Sequence, residues 1–378
     1  MFKKSTPYKL NTHIGILGGG QLARFLSLKA QEMGFQVRLL CQDSMEPAAQ
    51  VTRDVVLGDL SDGEIRRKFL DQLDVVTFES EFVDASPIEG QDNSFEIHPS
   101  TEMMNLIRDR KTQKQWLHEG DLPTAEDLQF ENKRDLAFYF ENSNAAFVLK
   151  KRLFGYDGYG TVVVQTPEDL DKVPENVSPK DWIAESFCPF ERELAFSIAR
   201  NKDNQFYILP LVETKQTDSK CDWVKGPVKH RRLNGLIKKL KKLMKSSKYV
   251  GLLSVELFDS KGQLLINELA PRVHNSGHHS IESLQVSQFE AHVRAILNLP
   301  LPKKPLLNAR GFAMANLIGT KEASNLDLKL GLWPEGEVHW YNKTSSRPGR
   351  KLGHLTLFSS SADKALKLIL KWRKSFWH

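Results

Sequence analysis

Apolar positions in the first hundred residues fall into short runs separated by stretches of helical periodicity. The runs at 14–17, 36–41, 54–57 and 74–79 predict strands. Leu22, Phe25 and Leu26 recur at helical spacing, and helices are predicted near 21–33 and 62–71. Such β-α-β alternation predicts a parallel sheet covered by helices on both faces. Ser100 is placed to cap a helix whose apolar spacing runs from Met104 and Ile107 toward Trp116 and Leu117. Beyond it the pattern changes. "AAFVLKKRLFGYDGYGTVVV" reads as two strands around a glycine-containing flap, and "DWIAESFCPFERELAFSIARN" as another strand pair. "YVGLLSVELFDSKGQLLINELAPR" reads as a hairpin turning at 259–262. Residues 281–298 look helical, and short strands follow the proline-rich 299–307.

At 378 residues the chain has room for two or three domains. The three cysteines, Cys41, Cys188 and Cys221, lack metal spacing and suit a reducing, cytoplasmic setting rather than a disulfide framework. No apolar run spans a bilayer, and the N-terminus lacks the apolar stretch of a secretory signal, so no membrane partner is expected. The net charge of +6 is concentrated in 225–248. There Leu236, Ile237, Leu240, Leu243 and Met244 keep one apolar face, so the lysines read as a solvated surface rather than a nucleic-acid patch.

Several segments carry chemistry. Gly18-x-Gly20-x-x-Ala23 follows a strand and opens a helix, with Asp43 downstream, as a dinucleotide fingerprint would. Glu256 and Glu268 lie on the two arms of the predicted hairpin, each in an apolar strand. Two neighbouring carboxylates call for a cation between them, and an oxygen donor set suits Mg²⁺, with Asn267 as a further oxygen ligand. Lys150 precedes the flap, where Gly155, Gly158 and Gly160 let backbone amides approach phosphates. The polar segment 270–282 offers Arg272, His274, Asn275, His278 and His279. It reads as a loop for an anionic substrate, with His279 exposed or structural. Its histidines lack zinc-site spacing. Lys343, Arg347, Arg350 and Lys351 fall between two strand-like segments and suit a phosphate grip.

Taken in order, "GILGGGQLAR", "DRKTQK", "GYDGYG", "VELF", "NELAPRVHNSGH", "SQFEAHVRAI" and "RPGRKLGHL" resemble the ATP-grasp superfamily, and within it the N5-carboxyaminoimidazole ribonucleotide synthetases. The resemblance covers about residues 12–358. It implies mixed α/β and α+β architecture: a Rossmann-like unit (1–105), an ATP-grasp domain (106–300) and a small C-terminal β-rich domain (301–378), in a homodimer. It implies that ATP phosphorylates bicarbonate to carboxyphosphate, which carboxylates 5-aminoimidazole ribonucleotide in purine biosynthesis. By family position, Arg110 and Lys150 hold ATP phosphates beneath the flap Gly155, Tyr156, Asp157, Gly158, Tyr159, Gly160 and Thr161. Glu185, Ser186, Phe187 and Cys188 form the adenine linker, and Glu193 accepts from the ribose. Glu256 and Glu268, beside Asn267, hold Mg²⁺. Arg272, Lys150 and Asp157 are the implied catalytic groups. Gly20, Gln21, Glu79, Tyr156, Asp157, Arg272, His274, Asn275, Lys343, Arg350 and Lys351 are the implied substrate-binding residues. Of these, Gln21, Glu79, Tyr156, Asp157, Lys343 and Arg350 match the family's ribonucleotide positions, and Arg272 is implied to stabilise charge on bicarbonate or carboxyphosphate. The chain departs from the family pattern at "VETKQ", where Thr214 replaces Asn and Gln216 stands for a histidine near ATP. His279 and Tyr159 also depart. Altered ATP affinity is expected from Gln216. Other readings are a formate-using ATP-grasp ligase, a dehydrogenase, and a nucleotide-binding protein without turnover. The dehydrogenase reading leaves the Glu256/Glu268 hairpin without a role.

Overall fold

The computed structural model describes residues 11–89, 94–155, 159–320 and 336–377. The N-terminal unit runs β1 (His13–Leu17), α1 (Gln21–Glu32), β2 (Gln36–Cys41), β3 (Asp54–Leu57), α2 (Gly63–Leu70), β4 (Val75–Phe78) and β5 (Glu96–Ile97). Its strands pair in parallel in the order β3-β2-β1-β4-β5. The strand interiors are apolar because helices cover both faces: α1 packs on Ile14, Ile16 and Leu39, while Phe69 of α2 packs on Leu17, Val56 and Val76.

Ser100 caps α3 (Thr101–Arg108), its hydroxyl accepting from the Met103 amide. The single helix expected here is in fact two. Asp109 adopts an extended backbone and caps α4 (Arg110–Glu119), accepting from the Lys111 amide. The Asp109 carboxylate also takes a charge-assisted bond from Arg152 Nε at 3.0 Å. That partner lies far along the chain, so helical periodicity alone runs straight through the break.

A small antiparallel sheet follows, built from β6 (Asp127–Leu128), β7 (Phe147–Lys151), β8 (Thr161–Val164) and β9 (Trp182–Ser186), in the order β6-β9-β7-β8. α5 (Lys133–Ser143) packs on it through Leu136 and Phe140. The larger sheet has nine strands among the described residues. In chain order these are β10 (Arg192–Arg200), β11 (Phe206–Ile208), β12 (Val212–Thr217), β13 (Lys220–Gly226), β14 (Gly251–Ser260), β15 (Gln263–Ala270), β16 (Gly311–Ile318), β17 (Glu337–Trp340) and β18 (Lys351–Ser359). Their order is β15-β14-β10-β12-β13-β16-β18-β17, with β11 on the end of β10. The expected pairing of β9 with β10 does not form: the two strands enter different sheets. The short connection between them, carrying Pro189, crosses from one sheet to the other and so runs along the cleft that separates them. The strands after residue 310 extend the same sheet through β13–β16 pairing.

The basic segment contains α6 (Leu233–Ser246), whose buried Leu236, Leu240, Leu243 and Met244 pack against Leu253 and Val255 of β14. Its lysine-rich face is outside that contact. The expected helix at 281–298 is again two pieces, α7 (Ser280–Ser283) and α8 (Gln288–Ile296), because Ser287 caps a new start through the Glu290 amide. The chain ends in α9 (Ala362–Trp377).

Fully buried His292 of α8 joins the N-terminal unit to the large sheet. Its Nδ1 accepts from the Leu252 amide at 3.1 Å, and its Nε2 lies 2.7 Å from Thr77 Oγ1 on β4. Burial pulls the imidazole down to about 3, so it is neutral. With Nδ1 accepting, Nε2 carries the proton and donates to Thr77. His292→Leu therefore strands a buried amide and a buried hydroxyl. It should cost about 1–3 kcal/mol, read as a lowered urea midpoint with an unchanged slope.

Candidate active site

The glycine turn is closed by the protein itself. Gly18 holds φ at 109°, a region favouring glycine, and a Cβ at Gly20 would sit 2.1 Å from Glu79 Oε1. Glu79, just past β4, accepts from the Gly20 amide at 2.5 Å and from the Leu22 amide at 3.3 Å. A carboxylate thus occupies the amino end of α1, where a dinucleotide pyrophosphate would lie. Asp43, in the fingerprint's acidic position, accepts from the Met45 amide in a tight turn. The turn is glycine-rich so that Glu79 can nest against it.

A cleft of about 700 Å³ opens between this turn, the small sheet and the large sheet. At its centre lie Glu256 and Glu268, directly opposite each other in the β14–β15 register. A β-bulge follows at once: Leu257 pairs with Ile266, so Asn267 is the extra residue. Regular alternation would turn Asn267 and Glu268 to opposite faces; the bulge lets both line the cleft. Lys261 and Gly262, at φ 50° and 70°, form the tight turn that sets this register.

Cations converge on these oxygens. Arg110, at the start of α4, donates to Glu268 Oε1 at 3.0 Å and to the Gly155 carbonyl at 3.1 Å. A Cβ at Gly155 would lie 2.2 Å from that guanidinium and would push it off this position. Lys150, on β7, donates to Asn267 Oδ1 at 3.0 Å and pairs with Glu185 Oε2 at 2.7 Å. The other Glu185 oxygen pairs with Lys114 Nζ at 2.8 Å, and Lys114 also reaches Asp127 Oδ1 at 2.7 Å. Burial pushes the Glu185 carboxyl up, but the two ammonium groups outweigh it and hold it below its usual range. Lys114 escaped the sequence reading, since nothing local marks a helix lysine whose partners lie on two distant strands.

Arg272 makes a two-point contact with Glu81, its Nη2 donating at 2.9 Å and its Nε to the second oxygen. Burial opposes the Arg272 charge, but Glu81 prevails and raises its proton affinity. Glu81 lies only two residues beyond Glu79 in "TFESEF", and an acidic residue after a strand end was the sole sequence signal for it. His274 Nδ1 approaches Glu256 Oε1 at 3.6 Å, and burial keeps the imidazole neutral. Asn275 is locked in a reciprocal amide pair with buried Asn316 of β16, at 3.1 and 2.7 Å. It pins the 270–282 segment to the sheet. His279 is buried, bonding Ser283 Oγ at 2.8 Å and stacking on Phe312, a structural role.

Farther along the cleft, Ser186 and Phe187 spend their amides on the Glu126 and Ala146 carbonyls, and half-buried Cys188 follows. Phe190 stacks on Phe258 at 4.5 Å, giving an apolar wall absent from the sequence reading. Burial raises Glu193, against a bond from the Gln216 amide. Gln21, Gln216, Thr161 and Lys351 also line the cleft. Exposed Tyr159 lies 5.3 Å from Lys151 Nζ, and Gly160 accepts from the Lys151 amide. Lys343 and Arg350 sit on the β17–β18 connection, Arg350 donating to Ser345 Oγ at 2.7 Å. Glu79 is close enough to Lys343 to favour its charge. Tyr156, Asp157 and Gly158 lie outside the described residues.

Lys114→Met removes the cation that buried Glu185 shares with partly exposed Asp127, while Lys150 stays paired with Glu185. It should lower unfolding stability by about 1–3 kcal/mol, measured by denaturant titration.

Comparison with known proteins places this geometry. A ribonucleotide synthetase preATP-grasp domain model matches residues 11–108, an ATP-grasp domain model 115–289, and a phosphoribosylaminoimidazole carboxylase C-terminal domain model 313–368. The N5-carboxyaminoimidazole ribonucleotide synthase of Synechococcus elongatus is 34% identical over 361 residues, covering 93% of this chain and 90% of that one. The Staphylococcus aureus synthetase, solved with ADP, superposes with a TM-score of 0.88 at 27% identity, over 97% of this chain and 98% of that one. The Aspergillus clavatus enzyme, solved with ADP and 5-aminoimidazole ribonucleotide, superposes at 0.84 with 30% identity, over 97% and 98%. With an ATP-grasp cleft, a carboxylate-nested glycine turn and a sheet continued through the C-terminal strands, this chain belongs to the N5-carboxyaminoimidazole ribonucleotide synthases, a family of ATP-grasp ligases.

Proposed function

We propose that the cleft activates bicarbonate with ATP and passes the carboxyl group to the exocyclic amine of 5-aminoimidazole ribonucleotide. ATP-dependent carboxylation of this ribonucleotide, in purine biosynthesis, is the activity of the family. The observation that carries the finer reading is the facing pair Glu256 and Glu268 with Asn267 turned to the same side. These hard oxygen donors fit Mg²⁺. Bound there, the ion would neutralise phosphate charge.

The chain's own groups do the positioning. A bicarbonate oxygen attacks the γ-phosphorus and the bond to ADP breaks. Carboxyphosphate then gives its carboxyl to the amine, releasing phosphate and a proton. Phosphoryl transfer of this kind rests on alignment and charge. Arg110 and Lys150 are held at the cleft centre by Glu268, Asn267 and Glu185, ready to exchange those partners for phosphate oxygens. Glu185 acts through Lys150 as a positioning residue. The Phe190/Phe258 wall beside the linker at 186–188 suits an adenine ring. Glu193 and the nearby Gln216 sit where a ribose would be met. Arg272, fixed by Glu81, faces the developing negative charge on carboxyphosphate. Asp157, with Tyr156, completes the reading from the flap. Gly20, Gln21 and Glu79 form one wall for the ribonucleotide, with His274 and Lys351 facing it; Lys343 and Arg350 take its phosphate. A division near residues 105 and 300, a homodimer and action in the cytoplasm belong to the same reading. Among the described residues no helix is long and apolar enough to cross a membrane.

The reading is tested by ADP release with ATP, Mg²⁺ and bicarbonate: release should require the ribonucleotide. Formate dependence with a different amine acceptor would favour another ligase, and tight nucleotide binding without turnover a binding protein. Glu268→Gln should cut turnover at least ~10²-fold, the scale for losing one electrostatic stabiliser, with circular dichroism unchanged. Wild-type turnover would remove the metal role.

Lys343 adds a pH signature. Burial and the Arg350 charge pull its ammonium down to about 8, while Glu79 opposes the shift. The positive charge is therefore present below pH 8 and lost above it. The kcat/KM for the ribonucleotide should fall as pH rises through about 8. Lys343→Arg, which stays charged, should move that limb to higher pH. An unmoved limb would contradict the assignment.

A further inference from the structure

Outside the cleft, three chemically competent side chains meet where α7 packs on the β17–β18 hairpin. Glu282, His339 and His354 bring one ligating atom each within 4.8 Å of one another. His339 and His354 face each other in register across the two strands, and their rings stack at 4.7 Å. His339 Nε2 lies 2.5 Å from Glu282 Oε1. His354 is fully buried, its Nδ1 lying 2.9 Å from the Tyr341 hydroxyl.

The unmatched atoms are informative. Among the described residues, His354 Nε2 and Glu282 Oε2 are buried without a hydrogen-bond partner. The same holds for His278 Nε2, whose ring centre lies 5.0 Å from that of His354. A buried polar atom left unpaired costs about 1–3 kcal/mol, so three in one place need an explanation. The tautomers supply it. If His354 Nδ1 donates to the Tyr341 oxygen, Nε2 presents a bare lone pair. A hydrogen bond to the far ring nitrogen is the usual support for a metal-binding imidazole. His278 Nδ1 accepts from Gln288 Nε2 at 3.1 Å, which places its proton on Nε2. That N–H would suit the oxygen of a water in a fourth coordination position. Burial also keeps His278 and His354 neutral.

We propose that Glu282, His339 and His354 form a binding site for Zn²⁺, separate from the carboxylate pair of the cleft. Two imidazoles and one carboxylate are a common zinc donor set. The ion would tie α7 to the hairpin whose connection carries Lys343 and Arg350, and so stiffen the phosphate end of the ribonucleotide site. In binding, Zn²⁺ takes the place of the proton held between His339 Nε2 and Glu282 Oε1, which moves to His339 Nδ1 or is released to solvent, and it fills the lone pairs of Glu282 and His354.

The test is titration of chelator-stripped, folded protein with Co²⁺, followed by its visible absorption, and then with Zn²⁺. One equivalent of Co²⁺ should give the intense bands of a low-coordinate site, and Zn²⁺ should abolish them. Glu282→Gln and His339→Gln, both at partly exposed positions, should remove the bands while circular dichroism is unchanged. Tyr341→Phe keeps the shape and should weaken binding about 10–100-fold. Glu268→Gln, in the cleft, should leave the bands intact. No Co²⁺ bands on the folded protein would overturn the proposal. So would bands that survive both Glu282→Gln and His339→Gln, or that vanish with Glu268→Gln.

Discussion

Two carboxylates facing each other across a β-ladder are the constraint around which the cleft is arranged. Directly opposed side chains in an antiparallel pair have Cβ atoms only about 4.5–5.5 Å apart. Like charges there destabilise the ladder unless cations reach them. The β14–β15 bulge makes the demand larger, because it turns Asn267 to the same side as Glu268. The surrounding elements answer it from separate parts of the chain. Arg110 comes from the helix that restarts at Asp109, and Lys150 from the end of β7, an inner strand of the small sheet. Behind them Glu185, itself paired with Lys114, holds Lys150 in place, and Glu81 fixes Arg272. In the ligand-free cleft each cation is therefore already paired. On the proposed reading, entering phosphates would exchange partners with groups that are already fixed, which limits the cost of ordering them.

The N-terminal unit has the same logic on a smaller scale. A helix amino end attracts an anion, and here β4 delivers one, Glu79, from within the protein. The glycine turn serves that contact. What resembles a dinucleotide fingerprint is a turn closed by the protein's own carboxylate, which lies near enough to Lys343 of the C-terminal strands to favour its charge. The continuous large sheet makes the meeting possible, since β13–β16 pairing carries the C-terminal strands onto the same framework as β10 and β14.

Much of this was legible in the sequence, for local reasons. β1 to β4 are nearly continuous apolar runs because helices cover both faces. The Glu256/Glu268 hairpin declares itself through two apolar arms and a Lys261–Gly262 turn. Ser100 caps where a capping residue precedes a helical period. What stayed hidden depends on partners distant in the chain. The break at Asp109 is held by Arg152, and the register of β13 on β16 is not written in either strand. Lys114, Glu81 and Asn316 act only through groups that folding brings to them. The pairing of β9 with β10 failed for a similar reason. Two adjacent apolar runs look like a hairpin until the pairing preferences of whole sheets separate them.

The central claim is that the cleft joins bicarbonate to the γ-phosphate of ATP before the carboxyl group moves. Turnover with ¹⁸O-labelled bicarbonate, unlabelled ATP and 5-aminoimidazole ribonucleotide tests it directly, by mass spectrometry of the released phosphate. If a bicarbonate oxygen attacks phosphorus, that oxygen leaves with phosphate, and each turnover yields one ¹⁸O-labelled phosphate. Unlabelled phosphate formed alongside carboxylated product would contradict the account, because the carboxyl group would then have reached the amine without passing through carboxyphosphate.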